Sequence, residues 1–187
     1  MDRGIQRVYW PFCMKGKVVG GSGRVHPEWE PKRQLDEDAA TFKARLKAWY
    51  RDEHPKYRNV YGISAKKILY PYDIYGPLDT VVLVEGQTSA IRLIDVGVDA
   101  MAILGVLNWS DTKRGLLRSK CVRNIILLFD GDEAGRKLTE ELVRELSKDF
   151  TVYALYLPDG VDPGDMDALW VNLVRRKFLK LSGKKPA

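Results

Sequence analysis

Two short blocks, Val81-Val82-Leu83-Val84 and Ile125-Ile126-Leu127-Leu128-Phe129, are apolar at every position. A strand with one face in water alternates apolar and polar residues, whereas a strand covered on both faces has no polar position to offer. The blocks are also shorter than an ordinary helix. They predict strands of a parallel sheet sandwiched between helices. From Thr80 onward, β-branched runs alternate with longer amphipathic ones, the pattern of parallel strands joined by crossover helices. Strands are expected over 80–85, 100–104, 124–129 and 151–157, and helices over about 88–97, 111–119, 133–147 and 165–180. The fold class is therefore α/β.

Residues 1–79 have a different texture. Arg7 to Cys13 and Lys17 to Val25 flank Lys15-Gly16, which predicts an antiparallel hairpin with a tight glycine-containing turn. Asp36, Glu37 and Asp38 open a stretch that runs to Tyr50 and places Phe42, Leu46 and Trp49 at helical spacing. Acids at its start suit a helix dipole, and the apolar stripe suits packing. The expected organisation is a basic N-terminal α+β subdomain, 1–79, holding the hairpin and an inserted helix, followed by an α/β domain with a C-terminal helix, 80–187. Charge follows the same division: 15 Lys and Arg against 10 Asp and Glu before residue 80, and 16 against 15 after it. An N-terminal excess of base favours polyanionic partners.

The 187-residue chain holds no apolar run of the ~18 residues that a membrane span needs, and a cytoplasmic location without a membrane partner is expected. Cys13, Cys121, His26 and His54 do not supply the Cys-x-x-Cys pairs of a zinc ribbon. Free buried thiols are expected instead.

In open parallel sheets, ligands bind where strands end and helices begin. Three acidic features fall at such places: Glu85-Gly86, before a helix initiated by Thr88; Asp130-Gly131-Asp132; and Asp159-Gly160-Val161-Asp162-Pro163-Gly164-Asp165. Each has an ordinary structural explanation: a turn, a solvated helix start, or a cap by Asp162 or Asp165 on the final helix. Three in succession along one sheet point to chemistry. Crowded carboxylates repel unless cations or hydrogen-bond donors offset them, and hard oxygen donors suit Mg²⁺ or Mn²⁺ and phosphoryl or nucleotidyl transfer.

Glu85-Gly86, Leu104-Gly105 and Asp130-Gly131-Asp132-Glu133-Ala134-Gly135-Arg136 together resemble the Toprim family of primases, topoisomerases and some nucleases. The nearest likeness is to the catalytic core of bacterial and phage DNA primases. Leu157-Pro158-Asp159-Gly160-Val161-Asp162-Pro163 is similar to their third acidic loop, Tyr9 to Phe12 followed by Gly16 to Val25 to their basic hairpin, and Pro55-Lys56-Tyr57-Arg58-Asn59 to a further segment. The likeness runs from about Arg7 to Leu169. Ser89 stands where the family often has an acid, Gly164 separates Pro163 from Asp165, and a helix-like insertion over 28–54 reads either as a lid or as packing.

The resemblance implies a Toprim-like domain with a central parallel sheet flanked by helices. It assigns Glu85, Asp130 and Asp132 as catalytic, with Asp162 and Asp165 joining them around Mg²⁺ or Mn²⁺; Glu85 either ligates metal or relays a proton. Arg24, Lys56, Arg58, Lys66 and Lys67 would face nucleic acid or nucleotide, and Tyr57 and Tyr61 stack on bases or pack in the core. The implied activity is joining nucleoside triphosphates into a primer on single-stranded DNA during replication, in a setting such as a phage. Zinc-ribbon cysteines and a long helicase-binding region are not seen, so a replicative helicase or a separate template-recognition chain is an expected partner, or the protein is a reduced Toprim chain. Two alternatives stay open: a Toprim nuclease using the same acids, and a noncatalytic DNA-binding replication module. A topoisomerase would need a tyrosine-bearing domain that nothing here resembles.

Overall fold

The computed structural model describes residues 6–52, 54–60 and 62–184. The chain divides into two compact units, Met1–Phe12 with Lys17–Gly62, and Cys13–Gly16 with Ile63–Ala187. Residues 63–79, which the sequence reading places with the N-terminal part, group with the parallel sheet.

The first unit holds a three-stranded sheet in the order β1-β2-β3, formed by β1 (Arg7–Met14), β2 (Lys17–Val25) and β3 (Tyr57–Val60). The hairpin is present as expected, with Lys15 and Gly16 both at positive φ in its turn. The third strand escaped the sequence reading: it pairs antiparallel with β2, Gly23 opposite Arg58 and Arg24 opposite Tyr57. Four residues of mixed polarity carry too little periodicity to announce a strand; β2 recruits it through backbone pairing. Helix α1 spans Ala39–Asp52 rather than 36–50, because the Asp38 carboxylate accepts the Ala40 and Thr41 N–H groups at 2.8 and 2.9 Å and so marks the helix start.

The second unit is the expected α/β fold. Strands β4 (Thr80–Val84), β5 (Ala100–Ala102), β6 (Asn124–Leu127) and β7 (Thr151–Ala154) are all parallel, in the order β5-β4-β6-β7. Their side chains alternate between two cores. Val81, Leu83, Ile125 and Leu127 meet Leu117 of α3 (Asp111–Ser119) and Leu138 and Leu142 of α4 (Glu133–Leu146). Val82, Val84 and Ile126 meet Leu93 of α2 (Gln87–Asp95) and Val174 and Phe178 of α5 (Ala168–Ser182). Both faces are covered, which explains strands without polar positions. Tyr70 bridges to Ala102 and closes the outer side of β5.

Helix α2 begins at Gln87 behind an extended Gly86, not at Thr88. Helix α5 begins at residue 168 rather than 165, and its cap is Asp167, whose carboxylate accepts the Trp170 N–H at 2.9 Å, rather than Asp162 or Asp165. The thiols are free, but Cys121 is exposed and Cys13 half-buried, against the expectation of burial. Cys121 sits in the left-handed turn after α3, φ +62°, where the chain reverses at the surface. Among the described residues no helix is long and apolar enough to cross a membrane.

Candidate functional site

Strand order decides where the site lies. The chain leaves β4 toward one edge of the sheet and leaves β6 toward the other, although β4 and β6 are neighbours. Loops that diverge from adjacent strands open a crevice at the carboxyl ends, the usual ligand position in such sheets. Leu83 pairs with Leu127, so Glu85 and Asp130 issue from the same edge within a residue of one another in register.

Glu85 is half-buried, and its backbone carbonyl accepts the N–H groups of Leu104 and Gly105 at 2.9 and 3.2 Å. Its carboxyl is held above the usual range by burial first and by the charges of Asp132 and Asp162, against a hydrogen bond from the Val106 N–H. The structure thus brings Glu85, Asp132 and Asp162 from three successive loops into electrostatic reach.

Asp132 is the N-cap of α4, with Oδ1 accepting the Gly135 N–H at 2.7 Å. The glycines around it follow from close backbone approach. A Cβ on Gly131 would lie 2.0 Å from the Pro158 carbonyl oxygen, and one on Gly135 would lie 2.2 Å from that of Asp130. Gly131 also donates to the Val161 carbonyl at 2.8 Å and accepts from Gly160 at 2.8 Å, tying the second acidic loop to the third. Asp130 is half-buried and engaged within the protein. Beside Asp132 a cleft of about 560 Å³ runs past Arg136, Lys137, Glu140 and Asp159, with Arg136 paired to Asp159.

In the third loop the Asp162 carboxylate accepts the Gly164 N–H, and Arg92 of α2 donates to the Gly164 and Met166 carbonyls. Buried Ser89 lies under this loop: a Cβ on Gly164 would sit 3.5 Å from its Oγ. Asp165 is exposed. The charges that act on Glu85 are those of Asp132 and Asp162.

The expected bases are divided between the units. In the first, Arg24 pairs with Glu30 at 3.6 Å. Exposed Lys56 lies 5.9 Å from the Tyr50 ring centroid, and exposed Arg58 stands on β3. Tyr57 is partly exposed and packs 6.3 Å from Trp10; Tyr61 lies outside the described residues. In the second unit, Lys66 and Lys67 are exposed on a single 3₁₀ turn capped by Ser64.

The residues that brace the acids are hard to recognise in the sequence. Arg92 looks like any base on an amphipathic helix, and only the fold brings the third loop beneath it. Lys113 did leave a signal: it stands four residues before Leu117, on the face of α3 that must turn inward.

Among the described residues no group of three or more His, Cys, Asp or Glu side chains forms a ready-made metal cage. The donors present still fit a hard divalent cation. They are carboxylate oxygens, the charges of Asp132 and Asp162 add to burial in raising the proton affinity of Glu85, and Mg²⁺ commonly takes only one or two carboxylates while keeping water and phosphate oxygens.

A Toprim-like family model matches residues 82–167, the span from β4 to the end of the third acidic loop. The chain is 28% identical over 187 residues, 98% of its length, to a DNA primase of Aquifex aeolicus (strain VF5), of which it spans 34%. In structure it is similar to the zinc-binding and RNA polymerase domains of the Aquifex aeolicus primase, with a TM-score of 0.61, 26% identity, and coverage of 95% of this chain and 40% of that one. It is also similar to the DnaG primase catalytic domain bound to single-stranded DNA, with a TM-score of 0.57, 25% identity, and coverage of 92% and 48%. The chain spans about a third or less of the length of the curated relatives it matches.

Proposed function

We propose that this chain, whose residues 82–167 are a Toprim-like domain and which is similar to DNA primases along nearly its whole length, is a primase-type nucleotidyltransferase that joins nucleoside triphosphates into a primer on single-stranded DNA. The observation that carries this reading is the convergence of Glu85, Asp132 and Asp162 at the reversal in strand order, where burial and then the like charges raise the Glu85 pKa. Glu85, Asp130, Asp132 and Asp162 would hold a divalent cation, Mg²⁺ or Mn²⁺. Such an ion, when bound, neutralises phosphoryl oxygens and stabilises charge as the phosphodiester bond forms.

The chain's own residues orient the acids. The α4 N-terminus and the Gly135 N–H hold the Asp132 carboxylate, and Arg92 fixes the loop that carries Asp162. Asp165 is exposed on that loop and is reserved for an outer role. Lys66, Lys67, Lys56 and Arg58 would neutralise phosphates, which makes binding fall steeply with salt; Arg24 would first have to release Glu30. A helicase or template-recognition chain as partner, and action in the cytoplasm, belong to the same reading.

Extension of labelled nucleotide on single-stranded DNA with Mg²⁺ or Mn²⁺ tests it, comparing wild type with Asp130→Asn and Glu85→Gln while the integrity of the DNA is followed. Product should form and fall at least about a hundredfold in both variants, the scale of losing a preorganised electrostatic group. Variant-sensitive degradation without product would replace the reading with a nuclease. Binding that survives both variants and chelation, with neither reaction, would replace it with a noncatalytic module.

A further inference from the structure

Lys113 is fully buried, and burial alone pushes its pKa down to about 7. Its Nζ donates to the backbone carbonyl of Ile103. Ile103 opens the turn that leaves β5, in which Leu104 has φ +65° and Gly105 φ +106°. A leucine in the left-handed region persists only where surrounding bonds over-determine it.

The N–H groups of this turn all serve Glu85 or its strand. Ile103 donates to the Val84 carbonyl at 2.9 Å, and Leu104 and Gly105 donate to the Glu85 carbonyl at 2.9 and 3.2 Å. The Val106 N–H bonds the Glu85 carboxylate. The carbonyls of the same turn are held by two side chains, Ile103 by Lys113 and Leu104 by Asn108 Nδ2. One row of amides therefore grips the acid, and one pair of side chains grips the row. A methionine would fill the volume of Lys113 without its desolvation cost, so stability alone does not call for a lysine here.

We propose that Lys113 and Asn108 are positioning residues that clamp the Ile103–Gly105 turn and thereby fix the place of Glu85 in the acidic site. The consequence for catalysis rests on the reading of Glu85 as a reactive acid; the clamp itself does not.

Lys113→Met and Asn108→Ala should be compared with wild type by amide hydrogen exchange at Leu104, Gly105 and Val106, by thermal midpoint, by the carboxyl carbon NMR shift of Glu85, and by nucleotide joining resolved into kcat and KM. Lys113→Met should fold with an equal or higher midpoint, yet exchange at the three amides should quicken about tenfold, as for the loss of one net hydrogen bond. The Glu85 carboxyl signal should move, and kcat should fall with KM unchanged; Asn108→Ala should change the same readouts less. Unchanged exchange at 104–106 would overturn the clamp. So would a variant that fails to fold or loses stability throughout, since that is the behaviour of a core support. Faster exchange with an unmoved Glu85 signal would sever the clamp from the acid. A wild type that joins no nucleotide would sink the proposed activity instead, and exchange and the Glu85 signal would still decide this inference.

Discussion

The two sheets solve the same problem with different residues. In the second unit all five residues of β4 are buried and both faces of the sheet are roofed by helices. In the first unit the hairpin leaves Tyr9 57% and Val18 69% exposed. Its buried polar groups meet only loosely: Arg24 lies 3.6 Å from Glu30, and the Tyr50 phenol is pushed up by burial and by the neighbouring Glu30 carboxylate. The difference teaches how little an apolar residue means without its surroundings, since valines of the same type stand at the centre of β4 and in water on β2.

The widest gap between the sheets should appear on truncating matched aliphatic side chains. Leu83→Ala, in a residue with no exposed surface, should cost about 2–5 kcal/mol of unfolding free energy. Val18→Ala should stay within about 0.5 kcal/mol, as surface changes do. Chemical denaturation of both variants checks this, and equal losses would break the contrast.

The pH dependence of the parallel-sheet unit comes next. Lys113 titrates near 7 when folded and near its ordinary 10.5 when unfolded. Between those values the unfolded chain binds a proton that the folded chain does not, so stability should rise with pH across the window, by at most about 1.4 kcal/mol per unit. Below pH 7 the burial penalty is present in full. Lys113→Met should remove the slope, which urea midpoints measured from pH 6.5 to 9.5 would show.

Gly131→Ala follows. Its Cβ would meet the Pro158 carbonyl oxygen at 2.0 Å, so the second and third acidic loops must part, at a cost of about 1–3 kcal/mol. Activity should fall further than stability, because Asp132 and Asp162 ride on those loops. A variant with wild-type turnover would show that their spacing is not critical. The smallest effect is expected at the polar cluster of the first unit. Glu30→Gln should lower the Tyr50 phenol toward its ordinary range without restoring it, since burial is the larger cause, and should cost at most about 1 kcal/mol, as for a loose ion pair. Spectroscopic titration of tyrosine ionisation, alongside denaturation, reads both.

Legibility followed the same contrast. The continuous apolar blocks located β4 and β6, and the acidic residues that end them located the loops, because burial on both faces leaves a pattern that needs no partner to be read. Strand β3 was not legible: four residues become a strand only when β2 supplies the other half of each hydrogen bond. Helix α5 was legible as a helix but not in its start, since Asp162, Asp165 and Asp167 are all chemically able to cap and only the loop path selects Asp167. Among the acids, Asp165 reads in sequence much like Asp162, yet Arg92 draws in the carbonyls of Gly164 and Met166 and leaves the Asp165 side chain in solvent.

The sequence by itself determined the parallel α/β character of the second half, the hairpin of the first, and the carboxylates that end strands, because hydrophobic periodicity and turn chemistry are local properties. Tertiary structure alone decided which of those carboxylates meet, which bases are spent on ion pairs, and that a lysine in the core of α3 reaches back to the turn that holds Glu85. Those outcomes depend on strand order and loop path, and electrostatic and hydrogen-bond energies depend on distances that no spacing along the chain specifies.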